Sequence, residues 1–290
     1  MHKTLLIGLG NIGFGYDLIN STNTSLTHSK AIHNHKKFVL SGAVDINIKK
    51  CEKFNKLYST WTTTSISKAL KYIKPDVVVI ATPTEYHIKN IKEILNVFHP
   101  KVILCEKPIS NSYEEAIKIQ NIINKTEIKF LINYQRRVEK GINEIKLRMN
   151  KQHIKPPFKG IAWYTGGLLN NGSHLTNLCE FLFGEIKNIE KIKKIKKIKS
   201  DAIIDFKLKF DEGEIIFLST MHKYSHHEMQ ILFSNGCLDY EFGGQILRWR
   251  PILRSDIFVN YDVLSKKTEI IETDTENILD KVFDEVDSHL

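Results

Sequence analysis

Thr4-Leu5-Leu6-Ile7-Gly8-Leu9-Gly10-Asn11-Ile12-Gly13 is the stretch on which the reading of this sequence turns. A short apolar run ends in glycine, as a strand covered on both faces does. The glycines then follow in the order GxGxxG. Between a strand and a helix, the first glycine permits a tight turn and the second lets a pyrophosphate approach the backbone. The third permits close packing, and the first N–H groups of the helix receive the negative charge. Gly8, Gly10, Asn11, Ile12 and Gly13 are therefore candidate dinucleotide contacts. An α/β fold that binds another nucleotide, or none, is the plain alternative.

The acidic partner that holds the adenine ribose belongs at the end of the second strand, about 20 residues on. Phe38–Val44 reads as that strand and ends at Asp45, which lies 32 residues past Gly13. The surplus falls in Gly15–Ser25, a polar, turn-rich stretch after which Leu26–His33 resumes a helical pattern. An insertion is expected there, either a surface loop or a flap beside the phosphates. Asp45 would accept from both ribose hydroxyls and repel a 2′-phosphate, which favours NAD; Lys49 and Lys50 would offset that, so NADP is not excluded.

Working outward, Asp76–Ala81, Lys101–Cys105 and Lys129–Asn133 repeat the buried-strand pattern. Ile48–Leu57, His87–Phe98 and Ser112–Ile123 show helical spacing between them, the last behind a capping-box sequence. Such alternation predicts a doubly wound parallel sheet, a Rossmann domain over residues 1–130. The remainder, 131–290, predicts an α+β domain with a mostly antiparallel open sheet. Lys140–Met149, Ser173–Phe183 and Glu276–Val286 read as its helices. Its strands are Gly160–Tyr164, Ile204–Phe210, Glu214–Ser219, Met229–Phe233, Cys237–Phe242, Ile246–Arg250, Phe258–Val263 and Lys267–Ile271. Asp211-Glu212-Gly213 and Asn235-Gly236 supply hairpin turns between strand pairs.

Further motifs sit where the later strands end, the edge at which an open α/β sheet binds ligands. They are Thr82-Pro83-Thr84-Glu85-Tyr86-His87, Glu106-Lys107-Pro108 and Asn133-Tyr134-Gln135-Arg136-Arg137, followed by Gly166-Gly167-Leu168-Leu169-Asn170-Asn171-Gly172-Ser173-His174. In this order the set resembles the Gfo/Idh/MocA family of NAD(P)-dependent oxidoreductases, most specifically at Glu106-Lys107-Pro108. The resemblance implies hydride transfer between NAD(P) and a ring carbon of a sugar or nucleotide-activated sugar, in carbohydrate or surface-polysaccharide metabolism. It also implies a homodimer or homotetramer built on the open sheet.

Carried over position by position, the resemblance makes Lys107 and His174 the acid/base groups. The family's usual aspartate, four residues before the histidine, is here Asn170. An amide orients a hydroxyl but does not take its proton, so Asn170 is expected to position substrate. Thr82, Pro83, His87, Glu106 and Lys107 are expected at the cofactor, and Arg136, Arg137, Asn170 and Asn171 at the substrate. Plainer roles stay open: a surface Lys107, a cap or core His174, a loop-shaping Pro83 and His87, an ion-paired Arg136 or Arg137. Asn170 also keeps open a second class of function, a dinucleotide- or sugar-binding regulatory protein.

Composition narrows the field. Among 290 residues, 42% are hydrophobic and 26% charged, too apolar for a disordered chain. No apolar run approaches the roughly 20 residues of a membrane span, and residues 4–7 are too short for a signal peptide. The net charge of +9 is spread along the chain, so no nucleic-acid partner is expected. Its one dense run, Lys191–Lys199, reads as a solvated strand-and-loop face or an anion-binding surface. Cys51, Cys105, Cys179 and Cys237 form no CxxC pair, which points to a reduced cytoplasmic protein. His222, His226 and His227 lack the partners of a zinc motif, so no metal is expected.

Overall fold

The structure, a computed structural model, describes residues 1–19, 24–198, 201–222 and 224–290, with the side chains of 194–198 left aside. Part of the expected Gly15–Ser25 insertion, and Lys199 of the Lys191–Lys199 run, therefore lie outside the described residues. The chain divides into two compact units, residues 1–135 with 276–290, and residues 136–275.

In the first unit the strands are β1 (His2–Ile7), β2 (Phe38–Val44), β3 (Thr62–Thr63), β4 (Val77–Ile80), β5 (Val102–Cys105) and β6 (Lys129–Ile132). They alternate with α1 (His28–Asn34), α2 (Ile48–Tyr58), α3 (Ile66–Ile73), α4 (His87–Val97) and α5 (Tyr113–Ile123). All six strands run parallel in the order β3-β2-β1-β4-β5-β6. The order reverses between β1 and β4, the point where such sheets take their ligands. Every residue of β4 and β5 is buried, because helices cover both faces. Leu5, Ile7, Val78, Ile80, Ile103 and Cys105 join Ile91 and Ile94 of α4 in one core. Hydroxyl and amide caps start four helices: Thr27, Asn47, Ser65 and Ser112 each accept a backbone N–H.

The second unit holds α6 (Lys140–Asn150), β7 (Phe158–Thr165), α7 (Ser173–Phe183), β8 (Asn188–Ile198), β9 (Asp201–Phe210), β10 (Gly213–Thr220), β11 (His227–Phe233), β12 (Gly236–Glu241), β13 (Ile246–Arg254), β14 (Asp262–Leu264) and β15 (Glu269–Ile271). They form a nine-stranded sheet, β14-β13-β12-β11-β7-β10-β9-β8 with β15 beside β13. Only the β7–β10 pair is parallel. One face carries Phe158, Ala162, Phe206, Phe217 and Ile231 against Leu175, Leu178 and Leu182 of α7. The period-2 alternation leaves Ile161, Trp163 and Leu232 on the opposite, exposed face.

Two expectations change. The last helix, α8 (Ile278–Asp287), belongs to the first unit rather than to a domain running to residue 290. It buries Ile278, Leu279, Val282, Phe283 and Val286, with Phe283 edge-on to Phe38. Lys37 donates to Asp287, and His35 meets Asp284 at 3.2 Å. Secondly, both hairpin turns fall one residue early. Gly213 and Gly236 are the first residues of β10 and β12, where a side chain would overlap Phe158 and the ring of Trp249. The strand expected within the lysine-rich run is part of β8, which pairs with β9 with register shifts between Lys191 and Lys193 and between Lys194 and Lys196.

Candidate functional site

The glycine loop lies at the carboxyl end of β1. Gly8 has φ +101°, and a Cβ there would stand 2.6 Å from the Ala81 carbonyl oxygen and 2.8 Å from the Thr82 nitrogen. Only glycine closes that approach between the ends of β1 and β4. A Cβ on Gly10 would meet nothing within 4 Å, so the backbone there is open to a ligand. Phe14 and Gly15 both donate to the Gly10 carbonyl at 2.9 Å, winding Asn11–Gly15 into a single π-helical turn. The leading N–H groups of such a turn have no acceptor within it, which suits a pyrophosphate.

Between the glycine loop and the first helix, where an insertion is expected, this turn is followed by a 3-10 turn, Tyr16–Leu18, and α1 begins at His28. Asp17 closes the base of the intervening segment. Its carboxylate accepts from Leu26 N (3.2 Å) and Thr27 Oγ1 (2.6 Å), with Lys30 at 3.6 Å.

Asp45 stands at the end of β2. Its Oδ2 accepts from Leu9 N and its Oδ1 from Asn47 N, each at 2.8 Å, while Lys50 approaches to 3.8 Å. Each carboxylate oxygen carries two lone pairs, so capacity for ribose hydroxyls remains. Gly10, the open turn and Asp45 together fit the phosphates and adenine ribose of NAD.

His87 is corrected from cofactor contact to loop clamp. The ring is 1% exposed, with Nε2 2.9 Å from Thr82 O and Nδ1 3.2 Å from Ile109 O. Thr82 Oγ1 accepts from Asn90 Nδ2 at 2.9 Å, which fixes the same loop. Pro83 begins the 3-10 turn Thr84–Tyr86.

Glu106 likewise turns inward. Its Oε1 meets His28 Nε2 and accepts from Asn133 Nδ2, each at 2.7 Å, and Oε2 lies 3.3 Å from Lys107 N. Burial opposes its charge, but the bonds from His28 and Asn133 and the nearby Lys107 outweigh it, holding the carboxyl below its ordinary range. Glu106 thus braces the end of β5 against β6 and α1. Lys107 is half-buried at that end, ahead of a cis bond to Pro108. His28 escaped the sequence reading because no local motif marks it; it finds its partner 78 residues away.

In the second unit, Gly166 and Gly167 lead into a π-helical turn, Leu168–Gly172, that continues directly into α7. Asn171 braces the turn, its Nδ2 donating to Thr165 O at 2.8 Å. Arg137 is held within the same unit. Its Nε donates to Asn177 Oδ1 at 2.7 Å, Glu180 lies 3.9 Å away, and the guanidinium stands over Phe181. Asn170 is exposed and His174 half-buried, one residue into α7. Asp201, also unmarked in the sequence, accepts from Leu169 N at 2.8 Å and Asn170 N at 3.0 Å. Among the described residues, no three His, Cys, Asp or Glu side chains gather as a metal site.

A parallel sheet of this order, with a glycine loop and an acid at its switch point, defines a dinucleotide-binding Rossmann domain. Residues 2–134 match the description "Oxidoreductase family, NAD-binding Rossmann fold". Over these residues the first unit is similar to the Gfo/Idh/MocA oxidoreductases.

Solved structures of similar fold include three dehydrogenases. The UDP-N-acetylglucosamine 3-dehydrogenase GnnA of Acidithiobacillus ferrooxidans is 16% identical, with TM-score 0.72 over 100% of this chain and 90% of that one. The WlbA dehydrogenase of Bordetella pertussis, in complex with NADH and UDP-GlcNAcA, is 16% identical, with TM-score 0.67 over 82% and 73%. A levoglucosan dehydrogenase in complex with NADH and levoglucosan is 14% identical, with TM-score 0.72 over 93% and 80%. At these identities the likeness is one of fold. No curated protein matches the sequence.

Proposed function

We propose that this protein transfers a hydride between NAD and a ring carbon of a sugar or nucleotide-activated sugar, in carbohydrate or surface-polysaccharide metabolism. The observation that carries the reading is the placement of Lys107 at the end of β5, on the same sheet edge as the glycine loop, with Glu106 locked beneath it by His28 and Asn133. Bound NAD supplies the hydride acceptor or donor. The alcohol oxygen must exchange a proton in the same event. The ammonium of Lys107 stabilises the developing alkoxide, and His174 passes the proton on. Asn170 and Arg136 orient the substrate. The bound sugars of the WlbA and levoglucosan dehydrogenase structures support the substrate class.

The test is a panel of UDP-glucose, UDP-N-acetylglucosamine and free hexoses, read at the absorbance band of reduced nicotinamide. Lys107→Met should bind NAD as the wild type does and lose about 10²–10⁴-fold in turnover. Unchanged turnover would refute the assignment. The amide at Asn170 favours a second reading, a regulatory protein that binds the dinucleotide or sugar without turnover, and the same panel separates the two.

The exposed sheet face bearing Ile161, Trp163 and Leu232 supports assembly into a homodimer or homotetramer. A reducing cytoplasmic location is supported by four buried free thiols, Cys51, Cys105, Cys179 and Cys237, all pushed up in pKa chiefly by burial. Among the described residues, no helix is long and apolar enough to cross a membrane.

A further inference from the structure

We propose that Asp201 is a positioning residue for the turn that carries Asn170 and leads to His174. The proposal rests on the oxidoreductase reading above. Asp201 opens β9, 31 residues beyond Asn170, yet its carboxylate lies under the turn that presents Asn170 and leads to His174.

Each oxygen takes one of two successive N–H groups, Leu169 N on Oδ1 and Asn170 N on Oδ2. These N–H groups open a helical turn, where no acceptor exists within the turn itself. An ionised carboxylate matches the pair and gains from the positive end of the helical dipoles. Gly167, at φ +96°, leaves room for it: a Cβ there would run into the Asp201 carboxylate. The turn is held at two further points, by Asn171 Nδ2 on Thr165 O and by Ser173 Oγ on Leu169 O at 2.7 Å. With both flanks fixed, the orientation of the Leu169 and Asn170 peptides depends on Asp201. So, through the continuous helix, does the position of His174.

An amide in place of this carboxylate has one accepting oxygen and an NH₂ that would face an N–H. Asp201→Asn should therefore keep the packing and release the turn. In the full-length protein the expected result is a kcat about 10–100-fold lower on the sugar that the panel identifies, the scale of a misplaced reacting group. The KM for NAD should stay within about twofold, because the Rossmann unit is untouched. Amide hydrogen exchange at Leu169 and Asn170 should quicken at least about tenfold as the charge-assisted bonds are lost.

Asp205→Asn is the control on the same strand. It neutralises a carboxylate of which one oxygen, Oδ1, accepts from Ser219 N (2.8 Å) and Ser219 Oγ (2.9 Å), and should leave kcat and exchange at 169–170 unchanged. The proposal is overturned if Asp201→Asn keeps wild-type kcat, if exchange at 169–170 does not respond, or if Asp205→Asn loses as much turnover. Rapid exchange of these two amides in the wild-type protein would overturn it without any variant. A wild type that binds NAD but turns over no sugar in the panel counts against the oxidoreductase reading alone, and the exchange measurement still decides whether Asp201 holds the turn.

Discussion

Replacing Glu139 by Gln should make the protein more stable at pH 8 and remove most of its loss of stability between pH 5 and pH 8. Glu139 precedes α6 and is fully buried, and neither carboxyl oxygen has a hydrogen-bond partner among the described residues. The equally buried Tyr240 hydroxyl, also without a partner, lies with Glu139 Oε2 against Gly244. Burial pushes the Glu139 carboxyl from its ordinary 4.5 up to about 8; Arg136 pulls the other way and Asp274 adds to the rise. Between those two values the folded protein keeps a proton that the unfolded chain has released. Stability therefore falls as pH rises, by about 1.4 kcal/mol per pH unit, and the loss accumulates to about 5 kcal/mol by pH 8. Glutamine has nearly the same shape and no proton to lose. Urea unfolding of both proteins at pH 5, 6.5 and 8 measures the effect. The variant should gain several kcal/mol on the wild type at pH 8 and little at pH 5. Parallel pH profiles, or a variant weaker at pH 8, would refute the reasoning.

Three other outcomes are expected. Gly8→Ala forces a left-handed φ onto alanine, at about 1–3 kcal/mol before the overlap with Ala81 is counted, and calorimetric titration should show NAD binding lost. Glu106→Gln sets an NH₂ against one of its two donors and should destabilise by about 1–3 kcal/mol at pH 7. Because the Glu106 carboxyl lies below its ordinary range, that contribution is present above the ordinary glutamate value and lost as pH falls through the folded one. The gap between wild type and variant in thermal midpoint should therefore narrow in acid. Trp163→Glu, on the exposed sheet face, should convert a wild-type oligomer to monomer in sedimentation velocity; a monomeric wild type would remove the assembly proposal.

Much of the fold was legible because burial leaves a period in the residues. Runs such as Val77–Ile80 and Val102–Cys105 have no polar face, so they can only be central strands between helices. Two glycines mislead for a local reason: Gly213 and Gly236 resemble turn residues but leave space for neighbouring rings. The α8 helix was legible as a helix but not as part of the first unit, since its apolar stripe would suit either core. At the site, Gly8, Gly10, Asp45 and Lys107 stand where motif spacing put them. His87, Asn171 and Arg137 also bond within their own units, which motif spacing does not reveal.

Residue order alone carries the Rossmann pattern, the glycine loop and its family resemblance, since those depend on neighbours a few positions apart. The partners that hold the chemistry in place come from far along the chain: His28 reaches Glu106 and Asp201 reaches Asn170. A buried acid or histidine has no periodic signature, and its role is set by whichever donor the folded backbone brings within about 3 Å. Only laying distant strands and turns side by side makes that choice.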